Sequence, residues 1–277
     1  MNNIYQPYKM KIVSVKDETQ DVKTFRLAFD DPVIGEGFSF RAGQFGEFSV
    51  FGEGEATFCI SSSPTRRGYI ECSVKSIGKV TEELHKMSVG DIIGFRGPYG
   101  NFFPIEKMYK RDLIFIGGGI GLAPLRSLIW NCLDEREKYG AITILYGARS
   151  VADLVYKDEL AEWERREDIT FIKTVDPGGE TEDWDGSVGF VPTVMRELDL
   201  RPETSYSIVC GPPIMIKFVI QGLNFMGFSP EQIITTLEMK MKCGLGKCGR
   251  CNIGNKYVCK DGPVFNFAQI EQFPKEF

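Results

Sequence analysis

Residues 114–128 read "IFIGGGIGLAPLRSL". Three bulky apolar residues run into a cluster of glycines and then into a helix-forming sequence, which describes a buried strand turning sharply into a helix. Gly117, Gly118, Gly119 and Gly121 let the backbone turn and come close to a ligand. A helix opening near Ala123 and Pro124 presents free N–H groups that can bind phosphate. The dinucleotide fingerprint G-x-G-x-x-G is not met, because its third glycine would fall on Leu122. Such a loop is either a nucleotide cradle or a tight turn. Outward from it the same grammar repeats: "AITILYGA" precedes "LVYKDELAEWERRE", and "SYSIVCGPP" precedes "IMIKFVIQGLNFMG". Strands alternating with helical patterns predict a parallel sheet covered on both faces, over residues 107–236.

Upstream, residues 1–106 hold short β-rich runs broken by Gly, Pro and Asp, such as "KIVSVKDETQDVKTFRLAF", "GQFGEFSVF" and "GYIECSVKSI". This spacing predicts an antiparallel barrel or sandwich. Downstream, residues 237–277 are too poor in apolar residues to fold on a core of their own, and a bound metal centre would supply the missing stability.

The chain has 277 residues, 43% hydrophobic and 26% charged, which is enough for two globular domains. A net charge of −5 argues against nucleic acid as the main partner. No apolar run reaches the ~20 residues a membrane-spanning helix needs, and the opening "MNNIYQPYKMKIVSV" lacks the shape of a signal peptide. A cytoplasmic protein with reduced thiols is the expectation, so clustered cysteines there bind metal or do redox work rather than form disulfides.

Four of the eight cysteines fall within seventeen residues, in "CGLGKCGRCNIGNKYVC". Cys243, Cys248 and Cys251 follow C-x4-C-x2-C, and Cys259 completes the set. That is the spacing of plant-type [2Fe–2S] sites, whereas structural zinc sites more often show C-x2-4-C pairs; both metals remain open at this point. Gly244, Gly246 and Gly249 leave room for backbone N–H groups to approach sulfur, and Lys242, Lys247 and Arg250 offset the charge of the thiolates.

Three further elements bear on chemistry. "SYSIVCGPP" ends a buried strand with Cys210, Gly211, Pro212 and Pro213, at the carboxyl end where open α/β sheets bind ligands, although a buried cysteine is as often a small hydrophobe. "ATFCISSSP" (56–64) joins an aromatic to a hydroxyl-rich strand end. "SIGKVTEEL" (76–84) sets Gly78 before a helix that Thr81 helps to start. The only histidine, His85, lies on this expected surface helix and reads as solvated.

The order of these elements is the specific signal. A β-rich region with "RAGQF", the hydroxyl-rich strand end, G-K-V-T, "GPYG", the glycine loop and C-G-P-P together resemble the ferredoxin–NADP reductase superfamily. With the terminal cysteines the resemblance narrows to flavin and iron–sulfur subunits of anaerobic redox complexes. These are the gamma subunits of sulfhydrogenases and the B subunit of anaerobic sulfite reductase, with the electron-transfer subunit of dihydroorotate dehydrogenase and the flavin subunits feeding heterodisulfide reductase further off. The resemblance implies FAD on the barrel, NAD(P)H on the α/β domain and a [2Fe–2S] cluster on the four cysteines.

Residue by residue, the resemblance puts Phe58 against the flavin ring and Cys59 where a Ser or Thr faces flavin N5, followed by Ile60 and Ser61. Ala56 stands where many relatives carry a pyrophosphate-binding arginine, which shifts that task to Gly78, Lys79, Val80 and Thr81. Gly118, Gly119, Ile120 and Gly121 match the nicotinamide nucleotide's pyrophosphate loop, and Cys210, Gly211 and Pro212 lie beside the nicotinamide. Cys210, Phe58 and Cys59 would shape the hydride-transfer stack. Arg149 and Ser150 could hold a 2′-phosphate, whereas Asp153 could accept from a ribose hydroxyl, so NADH and NADPH both stay open. The resulting expectation is an electron-transfer subunit serving a partner catalytic subunit. Its rivals are a free-standing NAD(P)H:ferredoxin reductase and a zinc-held assembly module without enzymatic activity.

Overall fold

Alternation of apolar and polar residues builds the first half of the molecule. In β1 (Tyr8–Asp17) Met10 and Ile12 point inward and are fully buried, while their neighbours face solvent. β1 forms a hairpin with β2 (Val22–Phe29), and Asp31 caps the short α1 (Pro32–Gly37) by accepting from the Val33 N–H. β3 (Phe45–Val50), β4 (Gly54–Cys59), β5 (Ile70–Lys75), α2 (Lys79–Lys86) and β6 (Ile92–Tyr99) complete this half. The six strands run antiparallel in the order β4-β3-β6-β1-β2-β5, and β4 comes back against β5 so that the sheet rounds into a barrel. Phe25, Phe48, Phe95 and Leu27 fill it, and Leu84 of α2 plugs one end.

The computed structural model describes residues 3–274; positions 1–2 and 275–277 of the expected outer regions lie outside the described residues. The helix α3 (Ile105–Met108) leads into β7 (Asp112–Gly118) and α4 (Leu122–Asp134). Next come β8 (Ile142–Ala148), α5 (Lys157–Glu164), β9 (Thr170–Val175), β10 (Ser187–Val188) and α6 (Val191–Met195). β11 (Ser205–Cys210), α7 (Pro213–Phe225) and β12 (Ile233–Thr236) end the α/β run. β10-β9-β8-β7-β11-β12 are parallel neighbours. Along β7, Leu113 and Phe115 pack with α4 and α5 on one face, whereas Ile114 and Ile116 pack with α6 and α7 on the other. Both faces are covered, as buried parallel strands require.

Beyond β12 the chain crosses to the barrel, forms the small ribbon β13 (Asn252–Ile253) and β14 (Lys256–Tyr257), and returns as β15 (Val264–Asn266). β15 pairs antiparallel with β12, so the seventh strand of the otherwise parallel sheet comes from the C-terminal segment. Two sequence expectations change. The β-rich run "GQFGEFSVF" becomes strand only from Phe45, because Ala42 and Gly43 form a turn in which Gly43 has φ +100°. His85 is not solvated: its Nε2 lies 2.8 Å from the Val74 carbonyl and its ring meets Phe25 edge-on.

Candidate functional site

The glycine loop and the C-G-P-P turn close on each other. β7 and β11 are parallel neighbours in a register that pairs Gly117 with Cys210, so their carboxyl ends emerge together. A Cβ on Gly121 would lie 2.6 Å from Gly211 Cα and 2.7 Å from the Cys210 carbonyl, and one on Gly118 would lie 2.4 Å from Met215 Sδ. At Gly121 only glycine permits this approach of backbones, while Gly118 makes room for the Met215 side chain. Gly119, at φ +54°, starts the turn that leads through Ile120 into α4, whose first N–H groups have no partner within the helix. Pro212 caps α7. The Cys210 thiol sits 3.1 Å from Thr236 Oγ1 and is pushed up to about 11 by burial, so it stays protonated at neutral pH.

On the barrel, β4 carries Phe58 against Phe48, with ring centroids 5.6 Å apart, and ends at Cys59. Burial first, then the nearby Cys210 and Glu238, push the Cys59 thiol up to about 12. Thus Cys59 from the barrel and Cys210 from the α/β sheet meet across the junction. Ile60 and Ser61 are fully buried beyond them, and the Ser61 hydroxyl has no partner among the described residues. Such an orphan beside an expected flavin site fits a missing hydrogen-bonding group.

The second flavin element opens α2. Thr81 Oγ1 accepts from the Ile77 and Gly78 N–H groups, both at 3.0 Å, which leaves the N–H groups of Lys79, Val80 and Thr81 facing outward at the helix start. Gly78 is extended, and a Cβ on it would meet nothing within 4 Å. The cradle is therefore open on the side where a pyrophosphate would lie. Lys79 itself is ion-paired with Glu53 at 2.9 Å. Arg149 is exposed and 3.9 Å from Asp153, and Ser150 donates to Asp153 at 2.8 Å, so one carboxylate serves both candidate ribose-site residues.

The cysteine segment lies on the barrel's outer face. Cys251 and Cys259 are buried, Cys243 is half-buried and Cys248 is exposed. Cys248 is the thiol that acts most on Cys243, and Cys251 the one that acts most on Cys259, whose own N–H turns to Cys251 Sγ at 3.5 Å. Among the described residues no three His, Cys, Asp or Glu side chains converge as they would on a single ion. Two pairs of thiols fit two metal atoms, which is the donor set of a [2Fe–2S] centre. Backbone N–H groups turn toward the sulfurs: Leu245 and Lys247 to Cys243 Sγ at 3.4 and 3.3 Å, Gly246 to Cys259 Sγ at 3.1 Å. Burial would raise the Cys243 thiol, but the Leu245, Lys247 and Cys248 N–H groups bring it down to about 7. Gly244, Gly246 and Gly249 all have positive φ, near +70°, which this wrapping requires.

Phe45 joins the two halves of the site. It is the cross-strand partner of Cys59 in β3–β4, and its ring packs among Cys251, Cys259 and Val258. One strand's width, about 4.8 Å, therefore separates the strand of Phe58 and Cys59 from the strand that floors the cysteine pocket.

Sequence reasoning missed three contributors. Glu238, between β12 and the cysteines, bears charge close enough to act on both Cys59 and Cys210. Arg126 of α4 joins the domains: its Nη1 donates to the Ser61 carbonyl at 3.0 Å and to Glu71 Oε2 at 2.7 Å, while Nε and Nη2 hold Glu159. Burial alone would raise the Glu71 carboxyl, yet Arg126 and Arg26 hold it below the usual carboxylate range. The polar loop at 176–186, which carries no motif, abuts the expected ribose site through Gly179, whose Cβ would fall on the Arg149 carbonyl.

Three domain families match in succession: an oxidoreductase FAD-binding domain over residues 9–103, an oxidoreductase NAD-binding domain over 115–221, and the iron–sulfur cluster binding domain of dihydroorotate dehydrogenase B over 238–271. The chain is accordingly a flavin-, nicotinamide- and iron–sulfur-dependent oxidoreductase of the ferredoxin–NADP reductase type. It is 41% identical to the gamma subunit of sulfhydrogenase 2 from Pyrococcus furiosus, covering 96% of each chain, and 38% identical to that of sulfhydrogenase 1 from the same organism, covering 99% of this chain and 95% of the other. A probable electron-transfer subunit of dihydroorotate dehydrogenase B (NAD(+)) from Methanocaldococcus jannaschii is 34% identical over 98% of this chain and 94% of its own. Among solved structures, an NADH-dependent reduced ferredoxin-NADP oxidoreductase studied for electron bifurcation superposes with TM-score 0.76 at 25% identity, over 96% of this chain and 90% of that one. The ferredoxin NADP+ reductase of Neisseria gonorrhoeae shares the fold, with TM-score 0.69 at 23% identity, over 82% and 96%. The chain belongs to the family of sulfhydrogenase gamma subunits and dihydroorotate dehydrogenase B electron-transfer subunits.

Proposed function

We propose that this chain is the electron-transfer subunit of a cytoplasmic redox complex, passing electrons between NAD(P)H and a partner catalytic subunit of hydrogenase, sulfite reductase or heterodisulfide-reductase type. When bound, FAD exchanges a hydride with the nicotinamide and a [2Fe–2S] centre exchanges single electrons. The residues of this chain hold, orient and shield those groups. Gly118–Gly121 and the start of α4 would take the nucleotide's pyrophosphate, and Gly211 and Pro212 would bound the nicotinamide. Gly78–Thr81 would take the flavin's pyrophosphate, with Phe58, Cys59, Ile60 and Ser61 along its ring. The protonated thiols of Cys59 and Cys210 line the stack without adding charge to it. Cys243 with Cys248, and Cys251 with Cys259, would each hold one iron.

The observation that carries this reading is Phe45, which belongs at once to the strand pair of Cys59 and to the cysteine core. It supports a two-electron site and a one-electron site lying side by side. The exposed end of the cysteine segment carries Lys240, Lys242, Lys247, Arg250 and Lys260, a basic face in a chain of net charge −5. Such a face would steer an acidic partner. No helix among the described residues is long and apolar enough to cross a membrane.

The test is anaerobic purification followed by Cys248→Ser. The native chain is expected to show flavin bands with a broad iron–sulfur shoulder and to co-purify with catalytic subunits. In the variant, flavin bleaching by NAD(P)H should persist while electron delivery to the partner falls at least tenfold, since serine's oxygen is a poor donor in a thiolate set. Full partner reduction without a reduced-state paramagnetic signal would mean that electrons leave from the flavin directly and that the cysteines are structural.

A further inference from the structure

Arg96 is buried, at 5% exposure, where the barrel meets the cysteine segment. An arginine has five N–H donors, and all five are used here. Nε donates to Glu55 Oε1 at 2.9 Å, and Nη2 donates to Glu55 Oε2 and to the Lys242 carbonyl at 3.4 Å. Nη1 donates to Tyr99 Oη and to the Cys243 carbonyl, both at 3.2 Å. Glu55 stands on β4, three residues before Phe58, and Cys243 is the first thiol of the cysteine segment. One guanidinium thus spans from the strand of the expected flavin contacts to the first metal-ligand position.

The consequence follows from peptide geometry. Carbonyls 242 and 243 are drawn toward Arg96, and Gly244 is pressed on the Tyr99 ring, where a Cβ would come within 2.4 Å. The chain then turns at φ +69°, and the next N–H groups, those of Leu245 and Lys247, face Cys243 Sγ. Donors on a thiolate favour an added electron, whereas carbonyl oxygens turned the same way would oppose it. Charge acts in the same place: Arg96 and Glu55 pair directly, with the buried Glu47 close to both and its carboxyl pushed up by burial, so removing either partner changes the charge beside the thiolates by one unit.

We infer that Arg96 and Glu55 are positioning residues that hold Cys243 in register with the flavin strand and set the reduction potential of the centre. This inference rests on the iron–sulfur reading above. The test uses the full chain, purified anaerobically, with potentiometric titration of the reduced-state paramagnetic signal in wild type, Arg96→Gln, Arg96→Lys and Glu55→Gln. Iron and sulfide in the wild-type chain test the cluster reading; their absence there would overturn that reading and this one with it.

With the centre present, Arg96→Gln is expected to shift the reduction equilibrium about tenfold toward the oxidised form, ~59 mV for one electron, because it leaves Glu55 negative beside the thiolates. Glu55→Gln should shift it the opposite way. Arg96→Lys, which keeps the charge and loses the fork, should fall between wild type and Arg96→Gln. Shifts of one sign in Arg96→Gln and Glu55→Gln, or no shift in either, would overturn the inference. Should Arg96→Gln retain no centre, the ordering of Arg96→Lys and Glu55→Gln around wild type decides. Loss of the centre from all three at unchanged flavin content would leave Arg96 a clamp only and overturn its tuning role.

Discussion

At Gly78 a single missing side chain separates a folding role from the binding role proposed for it. Its backbone is extended and its Cβ position is empty, so a valine there adds neither strain nor clash within the protein. The new methyls would occupy the approach to the N–H groups of Lys79, Val80 and Thr81. Gly78→Val is therefore expected to unfold with an unchanged midpoint in urea yet to purify with flavin occupancy reduced at least tenfold. Absorbance per mole of protein measures this, and full occupancy would move the pyrophosphate site elsewhere. Ala56 supplies no cation that would mask such a loss.

At the scale of elements, α4 does two things with one helix. Its N-terminus follows the glycine loop, and one turn later Arg126 reaches the barrel's Ser61 and Glu71. Ser127 adds a 2.7 Å hydrogen bond to the Ser62 carbonyl, and Tyr156, just before α5, bonds to Glu18 and Ser73. A polar interface of this kind keeps two domains in one relative orientation. Arg126→Gln leaves Glu159 without its arginine and Glu71 with only the part-exposed Arg26, and breaking a buried pair costs roughly 3–5 kcal/mol. A urea midpoint lowered accordingly, with slowed hydride transfer in stopped-flow even below the transition, is the expected result. Unchanged stability would mean that water replaces the guanidinium.

The same elements show what a sequence displays and what it hides. The glycine loop, C-G-P-P and the four cysteines are legible because each compresses its chemistry into a few neighbouring residues with restricted φ or fixed spacing. Strand–helix alternation around Ile114–Leu128 carries the parallel sheet for the same reason. Arg126 to Ser61 spans 65 residues and Arg96 to Cys243 spans 147, so no local pattern marks either arginine. β15 is equally silent: three residues with no alternation become a strand only because β12 has an open edge beside them. The seventh strand is thus a tertiary event, and periodicity could not foresee it.

At the scale of the molecule, electrons have an entrance and an exit but no terminal chemistry between them. Among the described residues no acid–base pair stands in the proposed hydride site beyond the two protonated thiols and the exposed Glu238. The isolated chain, with its cofactors, is expected to reduce viologen or ferricyanide with NAD(P)H and to evolve no hydrogen, reduce no sulfite and oxidise no dihydroorotate. Assays of each reaction with and without co-purified subunits separate the alternatives; any of these turnovers by the chain alone would contradict the subunit reading.

The path of residues 237–266 constrains how such a chain can be shortened. It leaves the sheet at β12, passes over the barrel with Asn101 gripping the backbone at Asp261 and Val264, and re-enters the sheet at β15. Trimming it would not give back a simple two-domain reductase. β12 would become a bare hydrogen-bonding edge and Phe45 an uncovered aromatic, the two features through which one polypeptide adheres to the next. The segment that carries the cysteines is also the selvedge of the fabric, and in this chain losing the one means fraying the other.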